Sequence, residues 1–276
     1  MKYPIQKKYH SFKQRQKRRK ESKPPVNRKI AVPSFFTLMN LFSGFLAIIS
    51  ISDGEFVRAA WLIALAGLFD VFDGLMARLA DATSDFGIEL DSISDMVSFG
   101  VAPGFLMYTW SLHELGLVGI IVSALPPLCG AVRLARFNVN ARLQPTKDFF
   151  IGLPIPAQAI ILGAFFLTFR DSLEVFSLLE NGVNSALIPI IVVISFLMVS
   201  TLPFDKIPRF DRQTIRQNRG KFILFFVYLI LILAFQEYGL MAVFTIFMLK
   251  GIVIGAIQFF TDDYGPEGVD KFQDYS

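Results

Sequence analysis

Eight stretches of this chain are each apolar enough, and nearly long enough, to cross a lipid bilayer. They run over about 30–51, 57–80, 86–110, 117–140, 154–169, 185–203, 221–236 and 239–260. Hydrocarbon offers no partner to a backbone amide or carbonyl, so a spanning segment must satisfy its polar groups internally; about 20 apolar residues of helix do so. A membrane barrel strand would alternate apolar and polar residues, and no such alternation is present. The expectation is an all-α, polytopic integral membrane helix bundle of about eight transmembrane helices. Composition agrees: 53% of the 276 residues are hydrophobic and 18% are charged, against about a quarter charged in soluble domains. The first run is too long for a removable signal peptide and follows a long basic arm. Cys129 is the single cysteine and falls inside an apolar run, so no intramolecular disulfide is available.

The net charge of +4 conceals an asymmetry. Residues 1–29 hold twelve Lys or Arg and one acid, Glu21. A basic arm before an apolar span marks the cytoplasmic side, and it also draws the chain to anionic lipid by on the order of 1 kcal/mol per residue near the surface. With the N-terminus inside, SDGEF, SLHELG, RDSLEVFSLLENGVN and QEYG become outer loops poor in Lys and Arg. The inner loops NARLQPTKDFFIG and FDKIPRFDRQTIRQNRGK are basic, as the rule requires, while LADATSDF is acidic and Lys250 falls inside the last span. The expected location is the cell inner (cytoplasmic) membrane, multi-pass, with both the basic arm and the acidic loop on the cytoplasmic face.

That acidic loop belongs to residues 70–95, DVFDGLMARLADATSDFGIELDSISD, where seven of 26 residues are Asp or Glu between strongly apolar flanks. On the second run, Asp70, Asp73 and Ala77 share a helical face; on the third, Gly87, Asp91 and Asp95 do. Antiparallel helices joined by a short loop can turn these faces together and bring four carboxylates into one pocket. Like charges in a low dielectric cannot all stay ionised without a counter-ion. A divalent cation removes the difficulty, and oxygen ligands without His or Cys suit Mg²⁺, Mn²⁺ or Ca²⁺ rather than zinc. Gly74 inside a helix costs about 1 kcal/mol relative to Ala; it allows close approach of a ligand or of a neighbouring helix. Arg78, one turn on, suits a phosphate or a snorkelling position at the helix end. Asp81, Asp85 and Glu89 stay outside the ligand set, Asp85 being placed to cap the third helix.

The pattern Asp70-x2-Asp73-Gly74-x2-Ala77-Arg78-x8-Gly87-x3-Asp91-x3-Asp95 resembles the signature of the CDP-alcohol phosphatidyltransferase family, with all eight positions filled and the gaps intact. The resemblance implies a membrane enzyme that moves a phosphatidyl group from a CDP-linked lipid to an alcohol and releases CMP. It implies that Asp70, Asp73 and Asp91 bind Mg²⁺ or Mn²⁺, and that Asp95 is the general base and also touches a second metal. Gly74, Ala77 and Gly87 would leave room for the cytidine nucleotide, with Arg78 near its diphosphate. A homodimer is the implied assembly, and nucleic acid is not a partner beyond the CMP moiety. The family core would be six helices over 30–203, leaving a basic arm 1–29, a basic loop with two extra helices 204–260 and an acidic tail 261–276.

The acceptor is addressed by CGAVRLARFNV at 129–139 and FIGLPIPAQA at 150–159. Together with PSFFTLMNLFSGF in the first run they are similar to the serine-using bacterial and archaeal branch of the family, whose substrates are CDP-diacylglycerol and L-serine. Arg133, Arg136 and Asn138 would gather near the pocket, where an arginine fork matches the carboxylate of serine; glycerol 3-phosphate would call for arginines too. The same arginines fit a plain positive-inside helix end. Thr37 and Asn40, polar positions inside the first run, either line the nucleotide pocket or bond between helices. A divalent-cation transporter is the alternative of another class. A conduction path places carboxylates at several depths, whereas here they collect at one membrane face.

Overall fold

The structure is a computed structural model that describes residues 31–80, 84–143, 149–205 and 219–262. The arm 1–29, Asp81, most of the basic loop after residue 205 and nearly all of the acidic tail lie outside the described residues. Each apolar run coincides with helix. The helices are α1 Ala31–Ser52, α2 Phe56–Ala80, α3 Asp85–Asp95, α4 Ala102–Trp110, α5 Leu117–Leu143, α6 Ile155–Phe169, α7 Asn184–Val199 and α8 Arg219–Asp262. Four candidate spans are long and apolar enough to cross a membrane, Ser34–Ser52, Phe56–Ala77, Leu117–Val139 and Ile230–Ile257; α6 and α7 are apolar but shorter.

The third run is not one uniform helix. Between α3 and α4 lies a π-helical stretch, Met96–Val101, with helical backbone on both sides of it. Such a stretch shifts the register of every side chain that follows, and its usual place is beside a functional residue. The last two runs form a single assigned helix that breaks at Gln236, the one described non-glycine residue with positive φ (φ 47, ψ −116). The chain reverses there. A β-carbon on Gly239 would strike the Leu231 carbonyl and approach Ile232, residues that a straight helix would keep about 10 Å or more away at 1.5 Å rise per residue.

Two three-residue strands interrupt the helical architecture. β1 Phe149–Ile151, between α5 and α6, pairs antiparallel with β2 Pro203–Asp205, between α7 and α8, in the register Phe150↔Phe204. Gly152 then turns with φ +77, and its missing side chain leaves room for the Met198 carbonyl. The pair joins two connections at the end of the bundle where α2 ends and α3 begins, here termed the site end.

The far end is closed by aromatic packing. Trp110 stacks edge-on against Phe166 at 5.1 Å, and Phe169 against Phe176 at 5.1 Å. α1 lies along α2 and continues onto α3 and the π stretch, whereas α2 and α3 scarcely approach each other among the described residues. α2 and α3 meet instead through side chains, with α1 behind both, and the space between them is here termed the cleft.

Candidate active site

The cleft is where the acids meet. Carboxylate oxygens of Asp70 from α2 and of Asp91 and Asp95 from α3 all lie within 4.8 Å of one another. Asp73, one turn beyond Asp70, lies beside Asp91. All four expected acids therefore converge, three in a tight group and the fourth through Asp91. Asp95 and Asp73 are buried, at 6% and 7% exposure. The site also fits a hard cation by its own chemistry: Asp91 Oδ1 is buried with no hydrogen-bond partner, and among the described residues neither His nor Cys joins the group.

Local sequence explains the start of α3. Ser84, not Asp85, is the N-cap: its hydroxyl accepts from the Gly87 amide at 3.0 Å. Asp85 is the first helical residue and points to solvent, so the capping expectation moves by one position. A hydroxyl satisfies an orphan amide as well as a carboxylate does, and Asp85 instead lends its charge to the helix N-terminus. Beside Gly87 a β-carbon would meet only the Ser84 hydroxyl, at 3.2 Å, within 4 Å. Gly74 and Ala77 lie half-buried on α2. Arg78 lies on the last turns of α2, and its side chain is outside the described residues.

From α1, Asn40 is fully buried and its Nδ2 donates to Asp95 Oδ1 at 3.1 Å. Thr37 is buried one turn earlier. Of the two readings for these residues, Asn40 takes the one between helices, and it does so on the expected base itself.

The three residues expected near the acceptor part company. Arg133 on α5 is 5% exposed and close enough to Asp95 and Asp70 to feel their charge. Arg136, one turn on, turns to the end of α7: its guanidinium donates to the carbonyls of Val199 at 2.8 Å, Ser200 at 2.9 Å and Met198 at 3.4 Å. Those are the carbonyls a helix end leaves without partners, so Arg136 acts as a side-chain cap. Asn138 donates to Ser92 Oγ at 2.9 Å, tying α5 to α3 beside Asp91. Three serines near the cleft, Ser84, Ser92 and Ser98, are absent from the expected set; of these only Ser84, three residues before Gly87 at a helix start, carries a readable signal.

With this geometry in view, comparison with known proteins is direct. The family model for CDP-alcohol phosphatidyltransferase matches residues 30–199. The CDP-diacylglycerol–serine O-phosphatidyltransferase of Helicobacter pylori (strain ATCC 700392 / 26695) is 34% identical over 229 residues, covering 83% of this chain and 92% of that protein. The protein of the same description from Methanocaldococcus jannaschii is 38% identical over 183 residues, 66% of this chain and 78% of its own length. The archaetidylserine synthase of Methanothermobacter thermautotrophicus is 36% identical over 189 residues, 67% and 74% respectively.

Proposed function

Since the chain belongs to the CDP-alcohol phosphatidyltransferase family, we propose that it transfers the phosphatidyl group of CDP-diacylglycerol to the hydroxyl of L-serine, yielding phosphatidylserine and CMP. The observation that carries the reading is the convergence of Asp70, Asp91 and Asp95, with Arg133 buried beside them.

Asp70, Asp73 and Asp91 would hold Mg²⁺ or Mn²⁺. When bound, such ions offset the charge that builds on a diphosphate during phosphoryl transfer. The remaining work belongs to the chain. Asp95 takes the proton of the serine hydroxyl, a contribution of about 10²–10⁴-fold. The serine oxygen then bonds to the lipid-side phosphorus, the phosphorus–oxygen bond to CMP breaks, and CMP leaves with the bridging oxygen. Gly74, Ala77 and Gly87 leave space for the cytidine, Arg78 meets the diphosphate, and Thr37 lines the nucleotide pocket. Arg133 is the side chain to pair with the carboxylate of serine, since a guanidinium fork matches it in two hydrogen bonds; Arg136 is committed to α7.

The protein is an integral membrane enzyme, and we read it as eight spans in the inner membrane with the basic arm and the cleft facing the cytoplasm. Residues 30–203 would form the transferase core, the two limbs of α8 an addition to it, and the assembly a homodimer. In a direct test, purified protein receives CDP-diacylglycerol, Mn²⁺ or Mg²⁺ and labelled serine. Labelled lipid and CMP should appear in equal amounts, and Asp95→Asn should nearly abolish both while donor binding persists. Glycerol 3-phosphate consumed with no labelled serine lipid would overturn the acceptor; near-normal turnover of Asp95→Asn would overturn the base.

A further inference from the structure

Asp95 is held from α1 by a reciprocal pair of hydrogen bonds. Asn40 Nδ2 donates to Asp95 Oδ1 at 3.1 Å, and Ser98 Oγ, three residues beyond Asp95, donates back to the Asn40 main-chain carbonyl at 2.9 Å. Asn40 and Ser98 are both fully buried. α1 can approach this closely because residue 44, one turn past Asn40, is glycine: a β-carbon there would collide with Ser98 Oγ and press on its Cα at 2.7 Å. Ser98 lies in the π stretch that starts at Met96. Within an uninterrupted α-helix, residues three apart already share one face. Asp95 and Ser98 both turn to α1 and meet it at Asn40.

We infer that Asn40 is a positioning residue for the base: it fixes the Asp95 carboxylate through one oxygen and aims the other at the acceptor hydroxyl. The inference rests on the assignment of Asp95 as base. A carboxylate on a two-torsion side chain has several rotamers, and only one aims an oxygen correctly. The Asn40 amide selects it, the Ser98 hydroxyl keeps Asn40 in register, and Gly44 keeps the two helices near enough for both bonds.

Asn40→Leu tests this in the full-length protein, because it fills similar space, suits an apolar interior and cannot donate. Misplacing a reacting group by about 1 Å can cost 10²-fold, so kcat should fall on the order of 10- to 100-fold. KM for CDP-diacylglycerol, the Mn²⁺ activation midpoint and the melting temperature should stay near parental values. Ser98→Ala should lower kcat by less, and the double variant should be no slower than Asn40→Leu alone, since coupled residues are non-additive. A kcat within twofold of the parent overturns the inference. So does a loss that saturating Mn²⁺ restores, which would make Asn40 a servant of the metal, and so does strict additivity with Ser98→Ala. Asp95→Asn, assayed alongside, separates the cases: if it retains turnover, the base assignment itself has failed. If it is inactive while Asn40→Leu is normal, only the positioning role has failed.

Discussion

At the scale of single residues, Arg133 and Arg136 make the sharpest contrast. They are three apart on one helix and chemically identical, yet one faces the carboxylate cleft and the other caps α7. Their substitutions should therefore fail differently. Arg133→Lys keeps the charge but loses the fork, so KM for serine should rise about tenfold with an unchanged melting temperature. Arg136→Ala removes charge-assisted hydrogen bonds worth about 1.5–3 kcal/mol each, so the melting temperature should fall while KM for serine in the surviving enzyme holds. Equal behaviour of the two variants in both measurements would contradict these placements. The aspartates are legible in the sequence because i, i+3 and i, i+4 spacing alone sorts them onto two faces. The partners of Arg136 are not, because they are main-chain carbonyls 62 to 64 residues away, and a carbonyl has no signature in a sequence.

At the scale of elements, helix positions are legible for a related reason. Lipid penalises every unsatisfied backbone group, so hydrophobic length is nearly a direct record of helix. Where two elements meet is recorded only faintly. The small-residue pattern Gly251-x3-Gly255 on α8 is the kind of stripe that pairs membrane helices. Here the chain itself fills it: a β-carbon at Gly251 would collide with the Phe204 ring, and one at Gly255 with Leu202. Phe204 is at once a β2 residue paired with Phe150 and a fully buried side chain. The stripe thus anchors the strand pair that joins the α5–α6 and α7–α8 connections. Gly251→Leu should expel the ring and cost about 1–3 kcal/mol, the usual range for overpacking, read as a lower melting temperature in detergent. The variant should not change any oligomeric state, because the stripe is already occupied. The π stretch after Asp95 has no counterpart in the hydrophobic pattern; α1 seats against it through Gly44 and Ser98.

At the scale of the whole molecule, the two ends differ in kind. The site end carries carboxylates, arginine and the strand pair; the far end carries interlocked rings and short 3₁₀ turns, including Leu112–Leu115. Exposed residues at the two ends, Asp85 and Glu114, give a test of orientation. In a Cys129→Ser background, Glu114→Cys should react with an impermeant maleimide on intact cells, and Asp85→Cys only after the membrane is opened. The reverse pattern would invert the topology. Charge asymmetry points to this orientation from the first residues. What the runs of hydrophobicity do not foretell is that α2 and α3, adjacent in the chain, meet through their carboxylates and not along their lengths. Exposed apolar side chains occupy the other faces of both helices, Val71 and Phe72 on α2 and Phe86 and Ile93 on α3. A donor whose acyl chains remain in the leaflet would reach the aspartates from within the membrane, and its diacyl product would depart the same way. The concentration this enzyme senses is then two-dimensional: in mixed micelles its rate follows the donor's mole fraction among the amphiphiles, not its molarity in the tube.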